Sequence, residues 1–330
     1  MAFRRGLTSR DGGVLQGWLI TMLAKHDAGV SKWRRLALAM YGVGGASRRW
    51  HVVGGPQLTI APSREEGLPR REQSSSRIEE TMAIRDFRAQ RLFIDTALSE
   101  GAVISCNTDQ SHYLVNVLRL KAGDKLLVFN GRNGVWRAVI RDADKRSCQL
   151  CVLVCEAPQM DGPDIDYVFA PLKRARLDYM VQKATEMGVA RLRPVFTERT
   201  VVDRVNVKRM RSNVIEAAEQ CGILRLPEVA EPEKFNVVVG AWPANRTLVF
   251  ADEAADVASP IAALRTAVDG PVAVLIGPEG GFTPREREML LANNTTLRIS
   301  LGPRIMRADT AAVAVLALVN AVMGDWGDWM

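Results

Sequence analysis

The alternation of short apolar runs with helical patterns through residues 165–330 constrains the fold of this chain most strongly. Residues 247–250 and 271–276 are apolar almost throughout, which is typical of strands buried on both faces. Between such runs, apolar residues recur at helical spacing, as at residues 177–187, where Gly188 fits the position after the helix. The pattern predicts an α/β fold with a parallel sheet covered on both faces.

Two glycine-bearing loops near the C-terminus each follow an apolar run and lead into a helical pattern. They are Ile276-Gly-Pro-Glu-Gly-Gly-Phe282 and Leu301-Gly-Pro-Arg-Ile-Met-Arg-Ala-Asp-Thr310. Thr283-Pro-Arg-Glu286 is a capping box that begins one helix, and Asp309 or Thr310 is predicted to cap the last. Because α/β sheets bind ligands at the carboxyl ends of their strands, the loops predict a small-molecule site built from backbone.

Neither loop matches a nucleotide fingerprint. No Lys-Ser or Lys-Thr follows the first loop, and the Gly-x-Gly-x-x-Gly spacing of dinucleotide sites is absent. Taken alone, Gly-Pro-Glu-Gly-Gly is more often a simple turn than a ligand loop. Arg304 and Arg307 favour the ligand hypothesis, since arginines here are either solvated or orient a planar, hydrogen-bonding substrate.

Further polar groups stand at helix positions upstream. Lys173-Arg-Ala-Arg176 opens the first helix of the region and is either a solvated face or a phosphate contact. Glu216 and Gln220 share one helical face, as a surface pair or as groups that reach a pocket. His112 is interpreted as structural or surface.

Residues 85–157 carry short strand patterns separated by turn signals, which predict a small β-barrel. The predicted strands are residues 91–95, 125–129, 135–140 and 148–154. A helical pattern at residues 109–118 interrupts them, and the polar stretch at residues 157–163 suggests a boundary. The chain is therefore divided into a barrel domain, residues 82–160, and an α/β domain, residues 161–330.

Residues 1–81 differ from the rest because they hold 13 Lys or Arg against 7 Asp or Glu, nearly all of the net charge of +7. Residues 62–80 are polar and read as a disordered linker, with Met82 directly after them. Three interpretations stay open: a start assigned too early, a disordered basic arm, or a transit peptide. The last would make the protein organellar, whereas the others leave it in the cytoplasm.

Membrane and metal functions are disfavoured by the sequence. No apolar run reaches the roughly 18 to 20 residues that span a bilayer, and residues 311–323 are interpreted as a buried helix. Cys148 and Cys151 would point to opposite faces of a strand, so they are interpreted as buried thiols in a reducing compartment and not as a zinc site.

Several motifs in a fixed order identify a family resemblance. Besides the two loops, they are residues 87–93, His112-Tyr-Leu-Val-Asn-Val-Leu-Arg119, Lys183-Ala-Thr-Glu-Met-Gly-Val189 and Glu219-Gln-Cys-Gly222 with Pro227-Glu228. Residues 82–330 thereby resemble the RsmE family, bacterial methyltransferases of the SPOUT class that make N3-methyluridine in small-subunit ribosomal RNA. The resemblance implies a deep C-terminal trefoil knot, although knots are rare in proteins. It also implies a PUA-like RNA-binding barrel and a homodimer with the active site at its interface.

The resemblance further implies that the two loops hold S-adenosylmethionine, largely through backbone groups. The implied cofactor contacts are Leu275, Gly277, Pro278, Glu279, Gly280, Leu301, Gly302 and Met306. Uridine N3 must lose a proton before its lone pair attacks the methyl group, and Arg307 is expected to stabilise the resulting anion. Gln220 and Glu219 are weaker candidates for orienting the base. Arg119, Lys173 and Arg174 are expected to contact 16S ribosomal RNA phosphates.

Two departures from the family pattern stand beside these motifs. Ala308-Asp309 replaces a Thr-Glu pair after the second loop, and Ile223 stands where the family often has Arg. Two alternatives therefore stay open: a knotted methyltransferase that acts on another RNA site, and a non-catalytic RNA-binding or ribosome-assembly protein with the same fold.

Overall fold

The computed structural model describes residues 37–40, 48–53, 59–62, 89–255 and 259–326. The chain divides into two compact units, Met1–Ser75 and Ser76–Met330. In its described residues the first unit forms an antiparallel sheet of β1 (Ala37–Met40), β2 (Arg48–Val53) and β3 (Thr59–Pro62), with β2 in the middle. The predictions of a linker and of a mistaken start fall on residues outside this description and stay predictions.

The second unit begins with a five-stranded sheet where the barrel is predicted. Its strands are β4 (Arg91–Phe93), β5 (Val103–Ser105), β6 (Lys125–Phe129), β7 (Val135–Asp142) and β8 (Gln149–Ala157). They lie in the order β4, β6, β7, β8, β5, and only β4 and β6 pair in parallel. The four predicted strands are confirmed, whereas β5 was not predicted.

A short helix packs into the core of this sheet. The Asn107 side chain accepts from Gln110 N at 2.9 Å and begins α1 (Thr108–His112), which continues as a π-helical turn, Tyr113–Val117. Leu114 is fully buried among strand residues such as Leu126 and Leu150. The predicted helix at residues 109–118 is therefore confirmed.

The rest of the second unit is an α/β domain built on parallel strands. Its strands are β9 (Ile165–Phe169), β10 (Arg191–Phe196), β11 (Glu228–Val229), β12 (Glu233–Lys234), β13 (Thr247–Ala251), β14 (Val272–Ile276) and β15 (Thr296–Ile299). Its helices are α2 (Arg174–Glu186), α3 (Val207–Cys221), α4 (Phe235–Gly240), α5 (Pro260–Leu264), α6 (Pro284–Ala292) and α7 (Ala308–Met323). The predicted 160/161 boundary falls between β8 and β9.

The sheet is buried on both faces, as its apolar strands predict. The order is β11, β10, β9, β14, β13, β15, with β12 also paired to β10. On one face, Val274 and Ile276 of β14 join a core with α2, α3 and α7. On the other face, Ala273 and Leu275 pack with residues of α4 and α6. The prediction of a covered parallel sheet is confirmed.

The two glycine loops leave the same edge of this sheet. Because all strands are parallel, the carboxyl ends of β14 and β15 meet at one edge, here called the carboxyl edge. β13 lies between the two strands, so the loops begin about 10 Å apart. The geometry brings the predicted loops to one end of the domain.

The last helix begins earlier than the sequence predicts. α7 starts at Ala308 with Arg307 as its N-cap, and no side chain caps it. The prediction that Asp309 or Thr310 is the cap is therefore wrong. Asp309 lies inside the first turn, where a carboxylate is favoured by the helix dipole.

Candidate functional site

The first loop is shaped by a ring that packs beneath it. The Phe282 ring contacts the Phe235 and Phe250 rings at centroid distances of 5.3 and 5.4 Å. A Cβ atom on Gly277 would lie 2.7 Å from this ring, so any other residue here would have to displace the Phe282 side chain. Gly281 adopts a left-handed φ of +68° and donates its N–H to the Pro278 carbonyl at 2.9 Å. Aromatic packing therefore fixes the loop from below.

The connection from β10 to α3 holds the same loop from the side. Arg199 Nη1 donates to the Gly280 carbonyl at 2.8 Å. The buried Glu286, the third residue of α6, accepts from Glu198 N and from Thr283 N at 2.8 Å each. These bonds join the loop to its neighbours through backbone groups, and they confirm the predicted Thr283–Glu286 capping box.

The second loop borders an open apolar cleft of about 430 Å³. Gly302 has a positive φ of +93°, and nothing lies within 4 Å of where its Cβ would be. The residues that line the cleft come from this loop, α5 and α7; they are Pro260, Leu301, Gly302, Met306, Ala314, Ala317 and Leu318. Three of the predicted cofactor residues therefore share one cavity wall.

The predicted cofactor residues of the first loop occupy different environments. Leu275 is 1% exposed and packs in the core beside α4 and α6, so only its backbone remains for a ligand. Pro278 is buried, whereas Glu279 and Gly280 are exposed at the carboxyl edge. The role of these residues in binding stays a prediction.

Arg176 connects the two loops. Its Nη1 lies 2.5 Å from Glu279 Oε1 in the first loop, and its Nε lies 3.5 Å from Asp309 Oδ2 in the first turn of α7. The Asp309 carboxylate also faces the core, where burial raises the pKa of the Tyr167 hydroxyl and the charge of Asp309 raises it further. Asp309, which departs from the family pattern, thus forms part of a contact between the loops.

The predicted catalytic residues are not brought together within one chain. Arg307 is exposed at the carboxyl edge. α3 starts at that edge and runs back over about 22 Å, so Glu219 and Gln220 in its last turn lie at the opposite edge. There Glu219 Oε1 accepts from Phe93 N of the barrel at 2.8 Å, and Gln220 is exposed.

The predicted RNA contacts lie in both domains. Lys173 and Arg174 are exposed at the start of α2, on the carboxyl edge. Arg119 is exposed in the barrel domain and has a left-handed φ of 57°, directly after the helical turn. Ile223, which stands where the family often has Arg, packs in a small apolar cluster between the two domains, beside Phe129 and Leu224.

Sequence reasoning missed two groups that touch the loops. Arg176 was noticed only as part of a basic cluster, and the cluster gave no sign that its partner acids are Glu279 and Asp309. Arg199 carried no motif at all. Both contacts are long-range in sequence, so no local pattern reveals them.

Two classes of site are absent from the described part of the chain. There, no group of three or more His, Cys, Asp or Glu side chains could hold a metal ion. None of the described helices combines the length and apolar character that a membrane span requires.

Comparison with known protein families matches both domains. Residues 160–320 match a family model described as an RNA methyltransferase domain, and residues 107–153 match a model described as an RNA methyltransferase PUA domain. The match in the second case falls within the sheet of β4–β8.

Two curated relatives carry the same name, ribosomal RNA small subunit methyltransferase E. The protein from Synechocystis is 33% identical over 260 residues, which cover 78% of this chain and 82% of the relative. The protein from Rickettsia conorii is 31% identical over 233 residues, which cover 70% of this chain and 94% of the relative.

Solved structures show the same fold. A Legionella pneumophila protein assigned as a methyltransferase, solved with the bound cofactor SAM, is 27% identical with a TM-score of 0.65, covering 72% of this chain and 99% of that one. The ribosomal RNA small subunit methyltransferase E of Neisseria gonorrhoeae, bound to S-adenosyl methionine, is 24% identical with a TM-score of 0.63 over 72% and 99% of the two chains.

Proposed function

Because this chain belongs to the family of ribosomal RNA small subunit methyltransferase E, we propose that it methylates N3 of a uridine in 16S ribosomal RNA with S-adenosylmethionine. The observation that carries the proposal is the convergence of the two glycine loops at one sheet edge, beside an apolar cleft. We also propose a cytoplasmic location, with an organellar one as the alternative if residues 1–81 are a transit peptide.

The residues of the cleft suit the cofactor. Leu301 and Met306 offer apolar contacts for an adenosine group, and the open space at Gly302 leaves bare backbone for hydrogen bonds. Gly277 and Gly280 supply the backbone of the first loop. The cofactor contributes a methyl group already activated by a sulfonium, so positioning can supply much of the rate.

Arg307 carries the electrostatic part of the mechanism. Deprotonated uridine N3 shares its negative charge with O2 and O4, and a guanidinium beside them stabilises that charge. Arg307 is exposed at the N-terminus of α7, where the helix dipole adds positive character. Gln220, at the opposite edge, can join Arg307 only across a subunit interface.

The composition of α7 supports a homodimer. Asp309, Thr310 and Asn320 are the polar residues of this 16-residue helix, which is otherwise apolar on all sides. A helix of this kind is buried all round, yet Ala314, Ala317 and Leu318 are only half-buried in one chain. A second copy covers this face and completes the site.

The strand connections support the knot. The segment from β13 to β14 contains α5, which packs on both β15 and α7. From β15 at the edge of the sheet, the chain returns to pack α7 against α2 and β14. The proposed knot arises where α7 passes through that loop.

RNA would lie along the exposed cations of both domains. Lys173 and Arg174 offer phosphate contacts beside the loops, and Arg119 offers one from the PUA-like domain. Binding therefore weakens as salt concentration rises, because phosphate contacts release counterions.

Two measurements test the function. Calorimetry with S-adenosylmethionine should show binding. Absence of binding would contradict the proposed enzymatic function. Purified protein should then add N3-methyluridine to small subunits that lack it, as detected by mass spectrometry of digested ribosomal RNA. A ribose 2′-O-methyl product would instead support a knotted methyltransferase of different specificity, and binding without any product would support an assembly protein.

A further inference from the structure

Arg176 is the described side chain that pairs with acidic groups from both glycine loops. Its two ion pairs use different nitrogens, Nη1 toward Glu279 and Nε toward Asp309. A planar guanidinium can hold two carboxylates at once in fixed directions, whereas the lysine ammonium is a point charge on a flexible stem. The chemistry of this position therefore suits a link between two separate segments.

The link is anchored in the rigid part of the domain. Arg176 lies in the first turn of α2, and Leu177, Met180 and Val181 of that helix are buried in the main core. Its side chain is 30% exposed, so its ion pairs are partly shielded from water. The guanidinium is thus held by a packed helix, while the groups that it contacts belong to the first loop and to the first turn of α7, directly after the second loop.

The second loop has few other supports. Leu301 and Met306 of this loop pack against the main core, but its hydrogen bonds are few: within residues 300–307, Gly302 N donates weakly to Ser300 Oγ at 3.3 Å, and Ile305 is 95% exposed. The first loop, by contrast, is held independently by Arg199 at Gly280. The second loop therefore depends on what holds the first turn of α7, where Asp309 lies.

We propose that Arg176 is a positioning residue that couples the two loops, so that the cofactor site is formed before the cofactor binds. This inference rests on the proposed function in so far as the loops bind S-adenosylmethionine. Preformed loops bind with less loss of entropy, so the coupling should appear in cofactor affinity. The ion pairs of the Arg176 side chain are with Glu279 and Asp309, so we assign it an effect on the cofactor that acts through these two segments.

The test compares Arg176→Gln and Arg176→Lys with a matched control, Arg209→Gln. Arg209 forms a bidentate pair with Asp178 between α2 and α3, and it touches neither loop. For Arg176→Gln we expect about a tenfold weaker Kd for S-adenosylmethionine by calorimetry, equivalent to about 1.4 kcal/mol. Arg176→Lys should recover part of this loss, and Arg209→Gln should bind like the wild type.

Hydrogen exchange of the cofactor-free protein provides a second readout. In Arg176→Gln, amides of residues 279–282, 300–302 and 304–306 should exchange faster together, whereas in Arg209→Gln they should not. Unchanged exchange and unchanged affinity in Arg176→Gln would overturn the inference. If the wild type itself fails to bind S-adenosylmethionine, the proposed function fails, but the exchange comparison still decides whether Arg176 couples the loops.

Discussion

Glu219 Oε1 accepts a hydrogen bond from the backbone N–H of Phe93 at 2.8 Å, and this bond joins the last turn of α3 to the first strand of the barrel domain. Around it, Ala218 and Leu224 pack with Leu127 of the barrel. In this chain Glu219 therefore connects two domains, and its role in orienting the base stays a prediction.

Removal of the acceptor at this junction should weaken RNA binding without affecting the cofactor. Glu219→Ala leaves the Phe93 N–H without its partner, which we expect to cost about 1 to 3 kcal/mol of stability. The KM for RNA should rise, because the barrel is less firmly oriented, while the Kd for S-adenosylmethionine stays constant. A changed cofactor affinity would contradict this role.

The Glu219→Gln variant should become more stable relative to the wild type as pH rises. Burial raises the pKa of Glu219, the Phe93 N–H opposes that rise, and the charge of Glu216 adds to it. Since the pKa is raised in the folded state, the neutral form stabilises the fold at low pH, and this contribution is lost as pH rises through the folded pKa. Urea unfolding at about pH 4 and about pH 8 measures this difference. The free energy of unfolding of the glutamine variant should increase relative to that of the wild type only at the higher pH.

Asp252→Asn should destabilise the carboxyl edge. The carboxylate is 4% exposed and accepts from Arg287 Nη2 and Arg298 Nε at 2.8 Å each. Burial opposes its ionisation, but these bonds and the Ala254 N–H hold the pKa of Asp252 below its usual value. Loss of the charge leaves Arg287 and Arg298 without their carboxylate partner. We expect the free energy of unfolding, measured by chemical denaturation, to fall by about 3 kcal/mol. The advantage of the wild type should shrink as pH falls through the lowered pKa.

Substitutions at two glycines of the first loop should separate folding from binding. Gly277→Ala forces its Cβ against the Phe282 ring, so we expect a loss of about 1 to 3 kcal/mol in stability together with weaker cofactor binding. At Gly280 a Cβ would meet Arg199 at 3.5 Å, an ordinary contact. Gly280→Val should therefore keep its thermal midpoint and lose S-adenosylmethionine binding by calorimetry. Normal binding by this variant would refute the assignment of the loop.

A charge on the half-buried face of α7 should separate the dimer. Ala317→Glu places a carboxylate where a second copy would pack, so sedimentation should report a monomer. Methyltransferase activity is not the readout, because Ala317 also lines the proposed cofactor cleft. The control is Val268→Glu, at a position 80% exposed and outside α7, which should sediment like the wild type. A dimeric Ala317→Glu would show that another surface joins the subunits.

The sequence predicted the fold wherever the signal was local. Residues 177–187 were predicted as helical and lie in α2 up to its C-cap at Met187, because their apolar residues keep helical spacing. β11 and β12 were not predicted, because strands of two residues are too short to show an alternation of apolar and polar residues. The cap of α7 was predicted wrongly because the Asp309 carboxylate is directed to Arg176, a residue of a distant helix.

The candidate site was predictable only in its backbone. Gly277 and Gly302 were visible because close packing and a positive φ favour glycine at those positions. The arginines that hold the loops were not, because their partners lie far away in sequence. The sequence also did not show whether Gln220 lies near Arg307. The order of the motifs does not reveal that the last turn of α3 lies at the edge of the sheet opposite Arg307.

β14 lies between two strands that are both synthesised before it. Val272 pairs with Ile165 of β9 on one side and with Thr247 of β13 on the other. The centre of the sheet must therefore stay open on the ribosome until residues 272–276 emerge, and such long-range pairing is slow. The first glycine loop can close only after this insertion. A protein proposed to modify ribosomal RNA thus cannot form its cofactor site until β14 has been synthesised.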